Sequence, residues 1–406
     1  MISRRLLDCF NRSSKLLLNN KNQYRFESLN DTSNLTEDQV LVQQAALNFT
    51  KEHLLPFAGE WDQKSYSPIE VYKEAGKLGF ACIYSSADHG GSAMDRVSAS
   101  LVFEALATAC VSTSSYLSIL NMNHWIIDTY GNEKQKAEWL PQLGAVEKFS
   151  SYCLTEPGSG SDAANMKTFA KKDGGDYVIN GSKCFISNAG FSDLYVVMCK
   201  TGENERSCIL VPSDANGLSF GKPEIKMGWH ASPTATITFD NVRVPQSNLI
   251  STEGNGFKIA MTALDGGRIN IASTSLGSAA QCLEKTKEYV GQRKQFGKSI
   301  DSFQNTQFRL AEMATDLIAS RLLVREAAKK IDLNHSNKTM YAAMAKIQAT
   351  EKCYNIVDQC LQLHGGYGYI SEYNIERHLR DLRVNRILEG TNEIMRLIVS
   401  RQIIKQ

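Results

Sequence analysis

One glutamate near the end of the chain has neighbours that suit acid–base chemistry. Glu389 stands in the stretch RILEGTNEI, where an apolar-patterned segment is interrupted, and Gly390 follows it directly. A glycine lets the backbone approach a ligand closely, and a carboxylate kept away from water has a raised pKa, which makes it a stronger base. From this stretch alone, a helix-capping or surface glutamate is the more common explanation. Glu389 is therefore a candidate base that needs support from elsewhere in the sequence.

Two glycine-rich stretches could hold a phosphate-bearing ligand. EPGSGSD, residues 156–162, contains a G-x-G pair, but the third glycine of a dinucleotide fingerprint is missing and no convincing βαβ unit follows. LHGGYGY, residues 363–369, comes at the end of a helical pattern, where glycines commonly form a C-cap and a tight loop. Taken singly, each stretch is more often a turn than a ligand site, and a Rossmann site is poorly supported.

The composition limits the classes of protein that the chain can be. Its 406 residues are enough for two or three domains with a large core. A formal net charge of +2 gives no overall basic field, so nucleic acid is not an expected partner. No apolar run is long enough to span a bilayer. The ten cysteines include no C-x-x-C pair, which favours reduced, buried thiols inside a cell over a metal site or a disulfide framework.

The first 26 residues differ from the rest of the chain in charge. They contain six Lys and Arg residues against a single acidic residue, Asp8, and mix them with Leu, Ser and Asn. A helix in this segment would place cations beside Leu6, Leu7 and Phe10. This pattern is typical of a mitochondrial transit peptide, and a disordered basic tail is the alternative. We therefore expect the protein in the mitochondrial matrix.

The rest of the chain divides into three segments with different residue patterns. Residues 36–148 have helical spacing of apolar residues, and Thr36 before an acidic first turn predicts an N-cap. Residues 149–255 carry short β-branched runs separated by turn sequences, with Ile237 and Phe239 on one strand face. Residues 256–406 return to long helical patterns. This order predicts an α+β protein with an N-terminal helical domain, a middle antiparallel β-barrel or sandwich domain, and a C-terminal four-helix-bundle domain.

The helical patterns also predict the course of individual helices. Residues 96–127 are apolar nearly all round, which predicts one buried helix. The stretch GNEKQKAEWLPQL predicts a short amphipathic helix that ends at Pro141. In the stretch TMYAAMAKIQATEKCYNIVDQCLQL, the predicted bundle-facing stripe runs through Met344, Ile347, Tyr354 and Val357.

Six motifs occur in order across this helix–β–helix layout: YCLTEPGSGSD, CFISNAG, LDGGRINIA, RKQFGKSI, QLHGGYGY and ILEGTNEI. With this set the sequence resembles the acyl-CoA dehydrogenases, mitochondrial flavoproteins that introduce a double bond next to a thioester. The resemblance covers the chain from about residue 36 to residue 406. Within the family, the stretches FEALAT, GLSFGK and GGRINIAS are similar to those of members that oxidise isobutyryl-CoA in valine breakdown.

The resemblance implies a role for Glu389. In the family, the glutamate of this motif removes the α-proton of the acyl group while a β-hydrogen leaves as hydride. Some relatives carry the base on another helix, directly before the arginine that aligns with Arg268, but that position is Gly267 here. Glu389 is therefore the implied catalytic base, and its backbone N–H together with a ribityl hydroxyl of the flavin is expected to hold the thioester carbonyl.

The same resemblance implies FAD, because no side chain accepts hydride. Leu154 and Thr155 are expected on one side of the flavin ring, and Ser187 on the other. Phe185 and Ser187 replace the Trp and Thr of many relatives, and plain core packing is the alternative for Phe185. The residues implied for FAD are Tyr152, Cys153, Leu154, Thr155, Glu156, Pro157, Gly158, Ser159, Gly160, Ser161, Phe185, Ile186, Ser187, Arg293, Phe296, Phe303, Gln304, Gln362, Leu363, His364, Gly365, Gly366, Thr391, Asn392 and Glu393.

For the CoA thioester, the resemblance implies Asp265 and Arg268, which stand three residues apart on one helix face. A surface ion pair is the alternative for these two. Gly266 and Gly267 are small where other relatives have side chains, which we interpret as space for a short, α-branched acyl group. The remaining residues implied for the substrate are Ser161, Gly390 and Arg401.

The resemblance further implies partners and leaves alternatives open. Some FAD contacts come from a neighbouring subunit in the family, which implies a homotetramer, and electron-transfer flavoprotein is the implied electron acceptor. A same-fold oxidase and a non-catalytic assembly member are the alternative functions. Isobutyryl-CoA is the expected substrate, with 2-methylbutyryl-CoA and butyryl-CoA as alternatives.

Overall fold

The computed structural model describes Thr32 and residues 34–404. The predicted transit peptide, residues 1–26, lies outside the described residues. Within the described part of the chain, no helix is long and apolar enough to cross a membrane. All nine cysteines of this part are free and buried, as the sequence predicted.

The N-terminal part is helical. Thr36 caps the first helix by the predicted motif, since its hydroxyl accepts from the Gln39 N–H while the Gln39 side chain accepts from the Thr36 N–H. A π-helical turn, Thr50–Leu54, continues that helix. The helices are α1 Glu37–Phe49, α2 Ala58–Lys64, α3 Ile69–Lys77, α4 Arg96–Ala107, α5 Val111–Tyr130 and α6 Glu133–Gly144, with a 3₁₀ turn at Ala87–His89.

Two predicted helix boundaries in this part are wrong. The expected single helix over residues 96–127 breaks between α4 and α5, because the Cys110 sulfur accepts from the Thr113 N–H and starts a new helix. Helix α6 continues through Pro141 instead of ending there. Its buried face includes Trp139 and Leu143, so packing keeps the last turn helical although proline removes one backbone hydrogen bond.

The middle part is a sheet of eight strands. The alternation predicted for residues 236–239 is confirmed, since Ile237 and Phe239 are buried while Thr238 is exposed. Most pairs are antiparallel, but β1 lies parallel to β4, with Tyr152 opposite Val196. The strands are β1 Ser150–Cys153, β2 Phe169–Asp173, β3 Asp176–Ser187, β4 Leu194–Lys200, β5 Arg206–Pro212, β6 Leu218–Phe220, β7 Thr234–Pro245 and β8 Leu249–Ile250, with spatial order β6-β7-β3-β2-β4-β5-β8 and short 3₁₀ turns at Ala163–Asn165 and Gln246–Asn248.

The C-terminal part is a helical bundle. A small antiparallel hairpin of β9 Lys294–Gln295 and β10 Lys298–Ser299 follows its first helix. The long helices are α7 Gly256–Gln292, α8 Gln304–Asp332, α9 Lys338–His364 and α12 Asn392–Ile404, and the shorter elements are α10 Gly366–Tyr369, α11 Ile375–Arg383 and 3₁₀ turns at Ile300–Ser302, Ser371–Tyr373 and Val384–Arg386.

Helix α7 connects the two helical parts, because it packs against α4 and α5 on one side and against α8 and α9 on the other. The stripe predicted for α9 is partly wrong. Met344 and Ile347 are only half-buried, and the fully buried face carries smaller residues, since α7 and α9 pack closely together. The buried residues of this face include Ala345, Ala349, Cys353, Ile356 and Val357.

Candidate active site

Glu389 lies in a left-handed turn immediately before α12. Its φ is +57°, and that of Gly390 is +90°. A left-handed backbone is costly for a glutamate, so it persists only where surrounding contacts hold it. Arg268 Nε donates to the Glu389 carbonyl at 3.2 Å, and Lys346 Nζ donates to the Gly390 carbonyl at 2.9 Å. Side chains of α7 and α9 therefore fix this turn, which the sequence showed only as a break in the apolar pattern.

The carboxylate of Glu389 points into the protein. The residue as a whole is half-buried, but its Oε2 is buried and makes no hydrogen bond within the described part of the chain. Burial raises the pKa of Glu389 to about 7, although the positive charges of Arg268 and Lys346 oppose the rise. An unpartnered carboxylate with a pKa near neutrality can accept a proton from a bound molecule.

The backbone N–H of Glu389 is also free for a ligand. It donates to no group within residues 34–404. A ligand carbonyl beside this turn could therefore accept a hydrogen bond from the Glu389 N–H. Glu389 would then supply both a base and a hydrogen-bond donor that polarises the carbonyl.

Gly266 and Gly267 leave space for two side chains of this protein. A Cβ at Gly267 would lie 2.6 Å from Oε2 of Glu389, and a Cβ at Gly266 would lie 2.3 Å from a guanidinium nitrogen of Arg96. Both distances are too short for any real Cβ atom. The nearest neighbours of the two glycines within the protein are thus Glu389 and Arg96, and the space for an acyl group beside them stays a prediction.

Asp265 and Arg268 form a buried ion pair. The Arg268 guanidinium donates to Asp265 at 2.6 Å, and the hydroxyl of Thr339 donates to the other Asp265 oxygen at 2.6 Å. The alternative of a surface pair is therefore wrong. Burial raises the pKa of Asp265, while Arg268 opposes this rise. The pair orients Arg268 towards the Glu389 carbonyl. Of the other predicted substrate residues, Ser161 and Arg401 are exposed.

Lys346 is a site residue that the sequence interpretation missed. It is completely buried, and besides the Gly390 carbonyl it donates to Asn392 Oδ1 at 2.8 Å. Burial lowers the pKa of Lys346 to about 7, against the opposing charge of Glu389. The sequence did contain a signal for it, since Lys346 stands among the small apolar residues of the buried face of α9. A lysine buried in such a place needs a specific partner, which indicates a site.

The residues after Glu389 hold the turn together. Asn392, predicted to contact FAD, is buried and donates to the Thr350 hydroxyl at 3.0 Å, so its amide is used within the protein. The hydroxyl of Thr391 accepts from the Ile394 N–H at the start of α12. Glu393 is exposed. The Glu393 side chain is therefore the most exposed group of the three.

Two partly buried tyrosines lie near enough to Glu389 to feel its charge. The hydroxyl of Tyr152 is buried without a hydrogen-bond partner in the described residues, and burial and the Glu389 charge raise its pKa well above the ordinary value. Tyr84, missed by the sequence interpretation, accepts from Asn270 Nδ2 at 3.3 Å. Its pKa is also raised by burial, with a smaller contribution from Glu389. The charge of Glu389 thus acts on both hydroxyls.

The segment LTEPGSGSD is anchored at Glu156. This carboxylate accepts from the completely buried Lys183 at 2.8 Å and from two backbone N–H groups, those of Lys167 and Thr168. Glu156 is therefore a structural anchor, and its side chain is unavailable to a cofactor. The loop beyond it is open: a Cβ at Gly158 or Gly160 would meet nothing within 4 Å. Pro157, Gly158, Gly160 and Ser161 are exposed, Leu154 and Thr155 are half-buried and Ser159 is buried.

The predicted flavin-contacting residues of β1 and β3 separate into two groups. Phe185 has a φ of +58° and is 68% exposed, so the alternative of core packing is wrong for it. Ser187 is half-buried. The side chains of Ile186 and Cys153, however, belong to the apolar core of the sheet, so only their backbone could contact a cofactor.

A cavity of about 400 Å³ gathers the predicted adenine and pyrophosphate residues. It is lined by Arg293 and by the segment Gln362, Leu363, His364, Gly365 and Gly366, together with Tyr289 and Tyr367, which were not predicted. The guanidinium of Arg293 lies 5.5 Å from the Tyr367 ring centre. A guanidinium beside glycine backbone is suited to a pyrophosphate, since it offers several N–H donors.

The β9–β10 hairpin beside this cavity presents exposed aromatic residues. Phe296 is 93% exposed with a φ of +53°, and its ring lies edge-on to that of Phe303 at 6.3 Å. Gln304 is exposed at the start of α8. An exposed phenylalanine in a strained turn indicates a surface that a ligand or another chain covers. Among the described residues, no cluster of His, Cys, Asp and Glu could hold a metal ion.

Comparison with known proteins identifies this arrangement. Three family models match: the N-terminal domain of acyl-CoA dehydrogenase over residues 36–147, the middle domain over 151–242 and the C-terminal domain over 254–404. Mitochondrial isobutyryl-CoA dehydrogenase of Dictyostelium discoideum is 50% identical over 380 residues, which cover 93% of this chain and 91% of the relative. That of Bos taurus is 46% identical over 375 residues, covering 92% and 90%.

Solved structures agree with these matches. Butyryl-CoA dehydrogenase from Megasphaera elsdenii superimposes with a TM-score of 0.89 at 36% identity, covering 91% of this chain and 99% of the other. Glutaryl-CoA dehydrogenase from Mycobacterium smegmatis, solved in complex with FADH2, gives a TM-score of 0.88 at 29% identity and covers 92% and 96%. The fold class predicted from the sequence is thus confirmed.

Proposed function

Because the chain belongs to the acyl-CoA dehydrogenase family, we propose that it oxidises isobutyryl-CoA to methacrylyl-CoA, with Glu389 as the base that removes the α-proton. The protein is an FAD-dependent oxidoreductase that desaturates short acyl-CoA thioesters. The observation that carries the proposal is the Glu389 carboxylate, whose buried Oε2 has no partner among the described residues. The 50% identity to an isobutyryl-CoA dehydrogenase supports the choice of substrate.

The proton step depends on the raised pKa of Glu389. A thioester α-proton is weakly acidic, so the base must be strong and the enolate-like charge must be stabilised as it develops. The buried carboxylate supplies the first requirement. The free N–H of Glu389 supplies part of the second, by donating to the thioester oxygen. The C–H electron pair becomes the new double bond as the β-hydrogen departs with its own pair.

The residues present fit FAD. When bound, FAD supplies the acceptor for the hydride that leaves the β-carbon. Phe185, Leu154 and Thr155 would hold the ring, while Arg293 and the backbone of Gly365 and Gly366 would hold the pyrophosphate half. The fit is supported by the cavity of about 400 Å³ and by the exposed, strained Phe185, which has no packing role of its own.

Arg268 and Lys346 have positioning roles in this proposal. Each donates to a carbonyl of the Glu389–Gly390 turn. Arg268, and Lys346 when it is protonated, also place positive charge near the carboxylate, which limits the rise of the pKa of Glu389. Gly267 also contributes, because the absence of a side chain there leaves room for the Glu389 carboxylate.

Assembly, electron acceptor and location are further parts of the proposal. The cavity at Arg293 is bordered by the exposed hairpin with Phe296, which favours a neighbouring subunit as its cover and hence a homotetramer. Electron-transfer flavoprotein is the proposed acceptor of the electrons. The basic residues 1–26 and the mitochondrial relatives favour the mitochondrial matrix, with these residues as a transit peptide and valine catabolism as the setting.

A substrate panel tests the proposed function. Purified, flavin-loaded protein would be assayed with isobutyryl-CoA, 2-methylbutyryl-CoA and butyryl-CoA, using electron-transfer flavoprotein as acceptor. The highest kcat/KM is expected with isobutyryl-CoA, and a clear preference for butyryl-CoA would overturn the substrate assignment. A parallel assay with oxygen as the only acceptor separates a dehydrogenase from an oxidase. A protein that takes up no flavin would support the assembly role instead.

A further inference from the structure

A buried arginine near Glu389 has a guanidinium without an ion-pair partner in the described residues, although its backbone N–H donates to the Asp332 carboxylate at 2.9 Å. Arg96 is the first residue of α4 and is 6% exposed. No acidic side chain in residues 34–404 forms an ion pair with its guanidinium. Other buried arginines do have such partners, as Arg268 has in Asp265. A desolvated cation without a counter-charge is costly, so its position calls for another explanation.

Aromatic rings hold the guanidinium in place. Its central carbon lies 3.4 Å from the centre of the Tyr84 ring and 5.4 Å from that of Trp125. Such contacts compensate a buried cation in part and also fix its orientation. On the opposite side, a guanidinium nitrogen lies where a Cβ of Gly266 would be. The guanidinium is therefore bounded by two rings and the α7 backbone.

The guanidinium of Arg96 and the carboxylate of Glu389 lie beside adjacent positions of helix α7. Gly266 meets the Arg96 guanidinium and the next residue, Gly267, meets the Glu389 carboxylate. The pKa of Tyr84 supports this arrangement, since Arg96 lowers it while Glu389 raises it against a background of burial. Asn270, one turn further along α7, donates to the Tyr84 hydroxyl, and its own Oδ1 is buried without a partner among the described residues.

We propose that Arg96, held by Tyr84 and Trp125, is the wall that limits the acyl chain to about four carbons. This inference rests on the proposed function. The α-carbon must lie at the Glu389 carboxylate, beside Gly267, and consecutive Cα atoms are only about 3.8 Å apart. An acyl chain that runs from Glu389 towards Gly266 would therefore meet the guanidinium. A methylene group there would press against a charged guanidinium and not against an apolar surface, so longer chains are rejected.

Substitution of Arg96 tests the wall. In Arg96→Ala, kcat/KM for hexanoyl-CoA relative to isobutyryl-CoA is expected to rise at least tenfold over the wild-type ratio, because each newly accommodated methylene is worth roughly tenfold in specificity. Arg96→Lys should keep most of the short-chain preference. An unchanged chain-length profile, or equal losses with all substrates at full flavin content, would overturn the inference. Should Arg96→Ala fold poorly, Arg96→Met provides the same comparison.

A double substitution separates this role from a general structural one. Gly266→Ala should lower kcat/KM for isobutyryl-CoA, because its Cβ collides with Arg96, and Arg96→Ala in the same chain should restore most of that loss. The matched control is Gly267→Ala, whose Cβ collides with Glu389 and which Arg96→Ala should not rescue. Additive effects at Gly266 and Arg96 would contradict the proposal. If wild-type protein oxidised no acyl-CoA at all, the proposed function would fail, which the wild-type panel shows independently of any variant.

Discussion

The carboxylate of Glu389 occupies the place where a side chain at Gly267 would lie, with 2.6 Å between Oε2 and an ideal Cβ. The two residues come from different elements, the long helix α7 and the turn before α12. The Glu389 carboxylate can occupy this place only because Gly267 has no side chain, so the two positions depend on each other. Gly267 and Glu389 thus belong to one site even though only Glu389 can accept a proton.

Removing the proton acceptor should stop catalysis without unfolding the protein. In Glu389→Gln, the flavin-loaded enzyme is expected to lose about 10²- to 10⁴-fold in kcat, the usual contribution of a general base. Anaerobic rapid mixing with isobutyryl-CoA, followed by flavin absorbance, measures the step directly. Glu312→Gln is the matched control, since Glu312 is exposed on α8 and has no proposed role in the site. Retained turnover in Glu389→Gln would refute the base assignment.

A methyl group at Gly267 should displace the base. Gly267→Ala is expected to lower kcat roughly 10- to 100-fold, since a shift of about 1 Å in a catalytic group costs on this order. Gly175→Ala serves as control because a Cβ there would meet nothing within 4 Å. Steady-state kinetics with isobutyryl-CoA and a thermal melt compare the two variants. Equal activity of Gly267→Ala and wild type would show that the carboxylate is free to move away.

The pH dependence should follow the ionisation of Glu389. Only the carboxylate can accept the α-proton, so kcat/KM is expected to rise with pH through about 7, the raised pKa of this residue in the free enzyme. Initial rates from about pH 5 to about pH 9 test this, with substrate well below KM. A profile that is flat through this range, with full flavin content throughout, would contradict an important contribution of Glu389.

Lys346 should influence both the stability of the turn and the strength of the base. Lys346→Met leaves the Gly390 carbonyl and Asn392 Oδ1 without their donor, which is expected to cost about 1–3 kcal/mol in the free energy of unfolding. Loss of the positive charge should also raise the pKa of Glu389, so the acidic limb of kcat/KM moves to higher pH. Urea unfolding and the pH profile measure the two effects.

The control for Lys346 is on the same helix. Lys352→Met removes a lysine of α9 that is 41% exposed and pairs with Asp316, far less buried than Lys346. Exposed ion pairs contribute little, so this variant should keep wild-type stability within about 1 kcal/mol and an unchanged pH profile. A shift of equal size in both variants would mean that the net charge of the bundle is responsible.

Arg293 should contribute to FAD affinity. In Arg293→Gln, the dissociation constant for FAD is expected to rise about tenfold or more, the usual cost of losing a hydrogen bond to a charged group. Titration of flavin-free protein with FAD, followed by fluorescence, gives the value. Lys294→Gln makes the same change of charge at the neighbouring position, which does not line the cavity, and should bind FAD as the wild type does.

Much of the local structure could be predicted from the sequence. The Thr36 cap and the strand Leu194–Lys200 depend on neighbours a few residues away, so their patterns are complete in the sequence. Pro141 shows the opposite case. The local rule for proline predicted that the helix ends there, but the packing of buried side chains keeps the helix intact to Gly144. The restart of the helix at Cys110 was missed since a cysteine sulfur is an uncommon cap.

The sequence by itself determined the order of helical and β parts, the candidate base at Glu389 and the motifs that revealed the family. Only the tertiary structure decided why Gly266 and Gly267 have no side chains, that Asp265 and Arg268 are buried, and that Lys346 and Arg96 belong to the site. The physical reason is the distance along the chain. Arg268 and Glu389 are 121 residues apart, and their contact exists only because α7, α9 and the turn before α12 pack together.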